Sequence, residues 1–336
     1  MKKYKLNILI LILVSIIIMY LIMKDNFYDI VNYLFNSDLK YLFLGLLLMV
    51  LNVLFQSFSI RLYLREIKKD YKFKDSFILM SSALFFNAIT PFSSGGQPFQ
   101  MYLLKKQGIK VTESGNALLQ NFISYQLALI LLGTASVILN KFFHIIPNTG
   151  LLRNIVMIGY IINVVILLLL LFLGKAKNIN TKVFNKIFNF IFSFKFIRNR
   201  EHLREVASNK IDEFYSSSKY FKNNKLIFLK SILYNMASLI FLYIVPLFVF
   251  YSIHEFNTLR LLDSIVCSSY TFFIGSFVPI PGGTGGLEYA FLEFFRGFTT
   301  NTLLSVSMIL WRFITYYLSM ILGALSLLFV KKKVKQ

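Results

Sequence analysis

The sequence predicts an all-α polytopic membrane protein with about six full transmembrane helices and two Gly/Pro-broken re-entrant hairpins. Three observations support this fold class. Hydrophobic residues make up 57% of the 336 residues, they form long uninterrupted runs, and Gly/Pro-rich stretches break two of those runs. A soluble domain is only about 45–50% apolar. Solid apolar runs are typical of transmembrane helices, whereas a membrane β-barrel would show alternation.

Six runs are long enough to cross a bilayer. The first follows Lys2, Lys3 and Lys5 and resembles a signal peptide, but it extends over about 18 residues without a small-residue cleavage site, so we expect a retained helix. Lysines flank both chain ends, which predicts cytoplasmic termini. The net charge of +21 then reflects cytoplasmic Lys and Arg beside an anionic leaflet. The six runs are Leu6–Met23, Leu39–Leu62, Ala117–Asn140, Leu151–Gly174, Ser231–Tyr251 and Leu303–Val330.

A first broken run, Phe77–Leu104, follows the second span. The sequence PFSSGGQP, Pro91–Pro98, interrupts it, and basic clusters flank both ends. Each apolar arm has about 13 residues or fewer, too few to span a bilayer. These features predict a re-entrant hairpin that enters from the cytoplasm and turns at the break. Two short amphipathic surface helices joined by a loop are the alternative.

The segment Lys175–Lys230 is the most polar part of the chain and is strongly basic. Within it, Val183–Phe196 places Phe and Ile at helical spacing between lysines and asparagines. This pattern predicts a cytoplasmic helix that lies in the membrane interface on anionic phospholipid. Direct nucleic-acid binding is not predicted, because the sequence shows no basic soluble domain.

A second broken run, Leu261–Phe295, contains PIPGGTGG, Pro279–Gly286. The last span ends in a basic tail, so the preceding hairpin must begin and end outside. It would therefore enter from the face opposite to the first hairpin. We expect one integral membrane domain, residues 1–336, whose halves (1–140 and 151–330) are inverted repeats. Broken segments at corresponding positions of inverted repeats are typical of a transporter site near the bilayer midplane.

The two breaks define the predicted head-group site. A helix that restarts after a break exposes N–H groups that favour an anion, and glycines allow close approach to the backbone. Glu288 could cap the second arm or act as a counter-charge. Arg312 lies deep in the last span, where it could snorkel to the interface, bind lipid phosphate or pair with Glu288. The predicted groove residues are Gly95, Gly96, Gln97, Pro98, Pro279, Pro281, Gly282, Gly283, Gly285, Gly286, Glu288 and Arg312.

No catalytic residues, metal site or cofactor are predicted. The sequence lacks a phosphate-binding P-loop, an HExxH motif and a Ser-His-acid arrangement. The single cysteine, Cys267, excludes an internal disulfide and a Cys-based metal cluster. The three histidines are scattered along the chain.

Three motifs resemble one family. They are TPFSSGGQPFQMYLLKKQG (Thr90–Gly108), PIPGGTGGLEYAF (Pro279–Phe291) and WRFITYY in the last span. Together they resemble the membrane domain of the lysylphosphatidylglycerol synthase/flippase proteins, which is the N-terminal membrane region of multiple peptide resistance proteins. Members often carry an acid and an arginine just after the glycines of the first motif, where this chain has Gln97 and Gln100.

The resemblance implies a membrane part that moves lipid between leaflets. In the full-length proteins a soluble domain transfers lysine from lysyl-tRNA to phosphatidylglycerol. No such domain is expected in these 336 residues. We therefore predict a lipid translocase for aminoacylated phosphatidylglycerol, another phospholipid or a polyprenyl lipid in the plasma membrane. A lysyltransferase-type protein acting with a separate soluble aminoacyl-transferase and a non-transporting scaffold are the alternatives. A homo-oligomer is left open.

Overall fold

The computed structural model describes residues 27–146, 150–175, 224–275, 278 and 280–330. In these ranges the protein is helical and contains no strand. Single 3-10 turns occupy Pro91–Ser93, Pro281–Gly283 and Arg296–Phe298, and a π-helical turn, Phe313–Leu318, joins the last two helices. The helices are α1 Phe27–Phe35, α2 Leu39–Ile67, α3 Phe73–Ala88, α4 Gly96–Lys106, α5 Val111–Phe143, α6 Gly150–Lys175, α7 Lys225–Ser252, α8 Leu261–Gly275, α9 Gly286–Phe295, α10 Asn301–Arg312 and α11 Ser319–Leu327.

Within the described ranges, five helical stretches are long and apolar enough to cross a membrane. They are α2, α5, the Asn154–Leu171 part of α6, α7, and the continuous stretch Asn301–Leu327 formed by α10, the π turn and α11. Each matches a span that the sequence predicts, so the polytopic α-helical class is confirmed. The predicted first span, Leu6–Met23, and the predicted interfacial helix, Val183–Phe196, lie outside the described residues.

Buried amides and hydroxyls join the spans to one another. Asn52 of α2 donates to the Ser238 carbonyl of α7 at 2.9 Å. Asn235 of α7 donates to Ser59 Oγ at 2.8 Å, and Ser59 Oγ in turn donates to Asn121 Oδ1 of α5 at 2.7 Å. Polar side chains commonly hold membrane helices together in this way. These hydrogen bonds hold α2, α5 and α7 together beside the two hairpins.

Both broken runs form hairpins, since α3 packs against α4 and α8 packs against α9. The two breaks share one backbone plan. Their 3-10 turns start at Pro91 and Pro281 and their second arms start at Gly96 and Gly286, in each case 190 residues apart.

Residues in the left-handed region follow each of the two prolines. In the second break they are Gly282 and Gly283, both at φ 65°. In the first break they are Phe92 at φ 53° and Ser93 at φ 51°. Side chains disfavour this region, so the first break carries backbone strain that the second avoids by using glycine.

The hairpins approach the last span from its opposite ends. The second hairpin packs through α9 against α10, whereas the first packs through α3 against α11. The 3-10 turns of the two breaks contact each other. Arg312, at the junction of α10 and the π turn, lies beside this meeting point. The breaks therefore meet about halfway along a membrane-spanning stretch.

Two glycines mark reciprocal contacts between the halves. Gly133 of α5 lies against the Phe273 ring of the second hairpin, and Gly323 of α11 lies against the backbone of Ser81 and Phe85 in the first hairpin. Gly133 and Gly323 are also 190 residues apart. Each hairpin thus packs against the final span of the other half, where a missing side chain allows close approach.

The short helix α1 was not identified from the sequence. It precedes the second span, packs against α10 and buries Ile30 almost completely. Phe27, Tyr28 and Phe35 remain exposed. Its nine residues are too few to be detected by a search for membrane-length apolar runs.

Candidate functional site: the central cavity between the two breaks

A cavity of about 220 Å³, here called the central cavity, lies where the two breaks meet. Residues of α2, α7, both hairpins and the last span line it. Arg312 is the charged residue among its lining side chains in the described part of the chain. The polar lining residues are Asn52, Gln56, Asn87, Ser93, Trp311, Arg312, Thr315, Tyr316 and Ser319; the others are Met49, Leu84, Ala88, Leu242, Phe272, Gly282 and Leu287.

A buried ion pair supports the wall of the cavity. Arg312 Nε lies 2.7 Å from Glu288 Oε1, and the two side chains are only 6% and 8% exposed. The other carboxylate oxygen, Oε2, accepts the Gly285 N–H at 2.7 Å and caps α9. Glu288 therefore fills both roles that the sequence left open, since it is a helix cap and also the partner of Arg312.

Arg312 does not snorkel to the interface. Its Nη2 donates to the Gly282 carbonyl at 3.2 Å and to Thr284 Oγ1 at 3.4 Å, so the guanidinium is hydrogen-bonded to the second break. The guanidinium carbon also lies 4.5 Å from the centroid of the Tyr316 ring, a cation–π distance. These contacts offset the free-energy cost of holding an arginine at membrane depth.

Tyr316 joins the last span to both breaks. Its hydroxyl donates to the Ala88 carbonyl of the first hairpin at 3.0 Å. Its ring lies against Gly282 of the second break, so closely that a side chain on Gly282 would overlap it. Tyr316 belongs to the π turn, and such turns occur frequently at functional sites.

Three N–H groups at the starts of the two second arms have acceptors within the chain. Gly95 N–H donates to Thr90 Oγ1 and Gly96 N–H donates to Asn87 Oδ1, each at 2.8 Å. In the second break, the Gly285 N–H is bonded to Glu288. Arg312, rather than this set of backbone amides, is therefore the main positive group at the cavity.

The structure separates the predicted groove residues into several groups. Gly282 and Arg312 line the central cavity, and Glu288 lies behind Arg312. Pro281 and Gly283 are buried in the second break, and Gly285 and Gly286 begin its second arm. In the first break, Gln97 and Pro98 are exposed to the surroundings, and none of Gly95, Gly96, Gln97 and Pro98 lines the cavity. Pro279 lies outside the described residues.

Sequence reasoning missed several residues of the cavity wall. Asn87 stands alone as an amide at the end of an apolar arm, which was a usable signal. Tyr316 lies one helical turn after Arg312, and such i,i+4 neighbours share a helix face. Trp311 lines the cavity while being 1% exposed, and its Nε1–H has no acceptor among the described residues.

The cavity presents polar groups to a ligand. It offers a guanidinium, amide groups and hydroxyls, which suit a phosphate or another oxygen-rich head group. Within the described ranges, no three His, Cys, Asp or Glu side chains come together as a metal site would require.

Comparison with known proteins agrees with the motif resemblance. No curated protein matches the chain. The family model described as the lysylphosphatidylglycerol synthase TM region matches residues 8–323. This match covers both hairpins and nearly all of the last span. The chain therefore belongs to the lysylphosphatidylglycerol synthase TM region family.

Proposed function

We propose that the protein translocates a polar-headed lipid between the leaflets of the plasma membrane. The observation that carries the proposal is the central cavity, where two hairpins from opposite ends of the last span meet around a buried arginine. Aminoacylated phosphatidylglycerol is the lipid that the family description favours, and another phospholipid or a polyprenyl lipid would fit the same chemistry.

The size of the cavity suits a head group without its acyl chains. A volume of about 220 Å³ is far larger than the roughly 10–15 Å³ that one water needs. The head group would cross between the hairpins while its tails stay in the hydrocarbon. Such a path needs polar partners at the midplane, because bare hydrocarbon offers none.

Arg312 would bind the lipid phosphate during passage. In the resting arrangement its charge is neutralised by Glu288 at 2.7 Å, which keeps an otherwise costly buried cation stable. An entering phosphate would compete with Glu288 for the guanidinium. A head-group amine could then take over as the partner of Glu288. Arg312 would thus pair with the phosphate of the head group, and Glu288 would pair with its amine.

The proposed orientation places both termini and the basic ends of the helices in the cytoplasm. In that orientation the first hairpin opens toward the cytoplasm and the second toward the outside. Movement of either hairpin relative to the last span would expose the cavity to one leaflet at a time. Tyr316, which contacts both breaks, lies where such movements would have to be coordinated.

A lipid flipping assay tests the proposal. The purified chain is reconstituted into liposomes that contain fluorescent lysyl-phosphatidylglycerol or fluorescent phosphatidylglycerol, and the outer-leaflet label is quenched with time. We expect faster loss of protected label with the protein than without it, and a large reduction for Arg312→Gln. Equal rates in protein-containing and empty liposomes would sink the proposal.

The chain offers a matched control for Arg312. Arg296 pairs with Glu293 at 2.9 Å, but its side chain is 64% exposed and lies away from the cavity. Arg296→Gln removes the same charge and should leave the flipping rate unchanged. A scaffold without transport would show the same flipping rate in wild type and in both variants.

The word synthase in the family description favours one second candidate, a role in lysyl transfer with a separate soluble catalytic partner. The purified chain is incubated with lysyl-tRNA and phosphatidylglycerol, and the lipid products are separated. We expect no lysylated lipid from the chain alone. Formation of lysylated lipid would favour lysyl transfer over translocation as the main function.

A further inference from the structure

A second cavity, here called the basal cavity, lies at the open end of the first hairpin, where α3 begins and α4 ends. Its volume is about 230 Å³. Helix α3 has 16 residues, so at 1.5 Å per residue the basal cavity lies about 24 Å along the hairpin from the break. It is therefore distinct from the central cavity.

Lysines from two segments line the basal cavity, and the ammonium of Lys106 lies 4.7 Å from the centroid of the Tyr102 ring. Lys68 and Lys72 lie on the connection between α2 and α3, and Lys106 is the last residue of α4. All three are exposed, and none forms a salt bridge with a described residue. Asp70 and Asp75 also line the cavity, so the five charges give a net charge of about +1.

The walls that carry these charges are held by hydrogen bonds. The Tyr71 hydroxyl donates to Gln107 Oε1 at 2.7 Å, and Arg61 Nε donates to the Tyr71 carbonyl at 3.1 Å. Burial and the nearby Asp75 charge raise the pKa of Tyr71 above its ordinary value, so the hydroxyl remains a donor. The connection that bears Lys68 and Lys72 is thus fixed to α2 and to the end of α4.

The remaining wall of the basal cavity is apolar. Ile78 and Leu103 form a buried part, and Phe329 and Val330 contribute from the end of the last span. Phe329 is 61% exposed. The cavity thus lies where two stretches of membrane-spanning length, α2 and the last span, end.

We infer that the basal cavity binds an anionic phospholipid, with its phosphate between Lys68, Lys72 and Lys106 and its acyl chains along Phe329. Lysines near a membrane surface attract anionic lipid, and their long stems let the ammonium groups reach the phosphate. Asp70 and Asp75 are acceptors that suit hydroxyl groups of a glycerol head group. A choline head group has no such donor. This site is independent of the translocation proposal, because bound lipid there need not cross the membrane.

The experiment compares two triple variants of the full chain in detergent. The first replaces Lys68, Lys72 and Lys106 by Gln. The second replaces Lys69, Lys74 and Lys105, which are exposed neighbours outside the cavity lining, and so removes the same charge. Each protein is titrated with phosphatidylglycerol or phosphatidylcholine, and retained lipid is counted by native mass spectrometry.

We expect wild type and the second variant to retain one phosphatidylglycerol more tightly than phosphatidylcholine. We expect the first variant to bind phosphatidylglycerol at least tenfold more weakly than wild type does. Equal losses in both variants would show general surface attraction and overturn the assignment. So would equal retention of the two lipids by wild type. Displacement of phosphatidylglycerol by millimolar inorganic phosphate would identify a free anion, not a lipid, as the ligand. The assay does not measure flipping, so its failure leaves the translocation test unaffected.

Discussion

Glu288 and Arg312 form a 2.7 Å ion pair across two elements that are 24 residues apart in the chain, and both side chains are less than one-tenth exposed. One oxygen of Glu288 caps α9 and the other holds Arg312, while Arg312 grips the Gly282 carbonyl. The pair thus joins the second hairpin to the last span at the wall of the central cavity. A single arrangement provides local stability and, in the proposed function, the charge that would recognise a head group.

Removal of one partner should destabilise the protein more than removal of both. Arg312→Gln leaves a buried carboxylate unpaired, and such a loss typically costs about 3–5 kcal/mol. The double variant Glu288→Gln, Arg312→Gln leaves no unpaired charge, so we expect it to recover part of that loss while flipping stays impaired. Thermal unfolding in detergent measures the first effect and the liposome assay measures the second. Strictly additive losses in thermal stability would contradict the pairing.

Gly282 should tolerate alanine poorly for two separable reasons. Its φ is 65°, and a Cβ there would overlap the Tyr316 ring. Gly108 shares only the positive φ, at 84°, and has open space around it, whereas Gly297 has open space and no positive φ. We expect Gly297→Ala to be nearly neutral, Gly108→Ala to lose about 1–2 kcal/mol, and Gly282→Ala to lose more. Unfolding midpoints of the three variants check this order. Similar values for Gly108→Ala and Gly282→Ala would show that the Tyr316 ring moves away from the added Cβ at little cost in stability.

The hydroxyl of Tyr316 should contribute measurably to the contact between the hairpins. It donates to the Ala88 carbonyl at 3.0 Å, and both residues are buried. Tyr316→Phe keeps the ring beside Arg312 and removes the hydroxyl that makes this bond, so a stability loss of about 1 kcal/mol is expected. Tyr317→Phe is the matched control, because Tyr317 contacts the Tyr316 ring edge-on but no bond of its hydroxyl to a described residue is observed. Equal unfolding midpoints for the two variants would show that the Tyr316 hydroxyl does not stabilise the contact between the hairpins.

Sequence reasoning succeeded where composition alone decides the structure. Long apolar runs specify α2, α5, α6, α7 and the last span, and clustered Gly and Pro specify the breaks, because neither residue suits a continuous helix. The possible partnership of Glu288 and Arg312 also followed from local reasoning, since a buried charge needs a partner.

Other features depend on contacts that no local pattern reveals. Phe92 and Ser93 adopt left-handed backbone at the positions that correspond to Gly282 and Gly283, so the shared plan of the breaks is visible only in the structure. The π turn that carries Tyr316 lies inside an ordinary apolar run. Asn87, Ser93 and Tyr316 reach the central cavity because the two hairpins meet there, which is a long-range consequence of packing.

The reciprocal packing of the two halves gives a final prediction. A Cβ at Gly323 would overlap backbone atoms of Ser81 and Phe85, whereas one at Gly133 would overlap the Phe273 ring. Overpacking of this kind typically costs about 1–3 kcal/mol. A side chain can rotate away more easily than a helix backbone can move, so we expect Gly323→Ala to lower the unfolding midpoint more than Gly133→Ala. Gly297→Ala, which meets open space, provides the baseline for the same chemical change. If the unfolding midpoint of Gly323→Ala equalled that of Gly297→Ala, the first hairpin would not pack closely against the last span. The arrangement of the central cavity would then have to be revised.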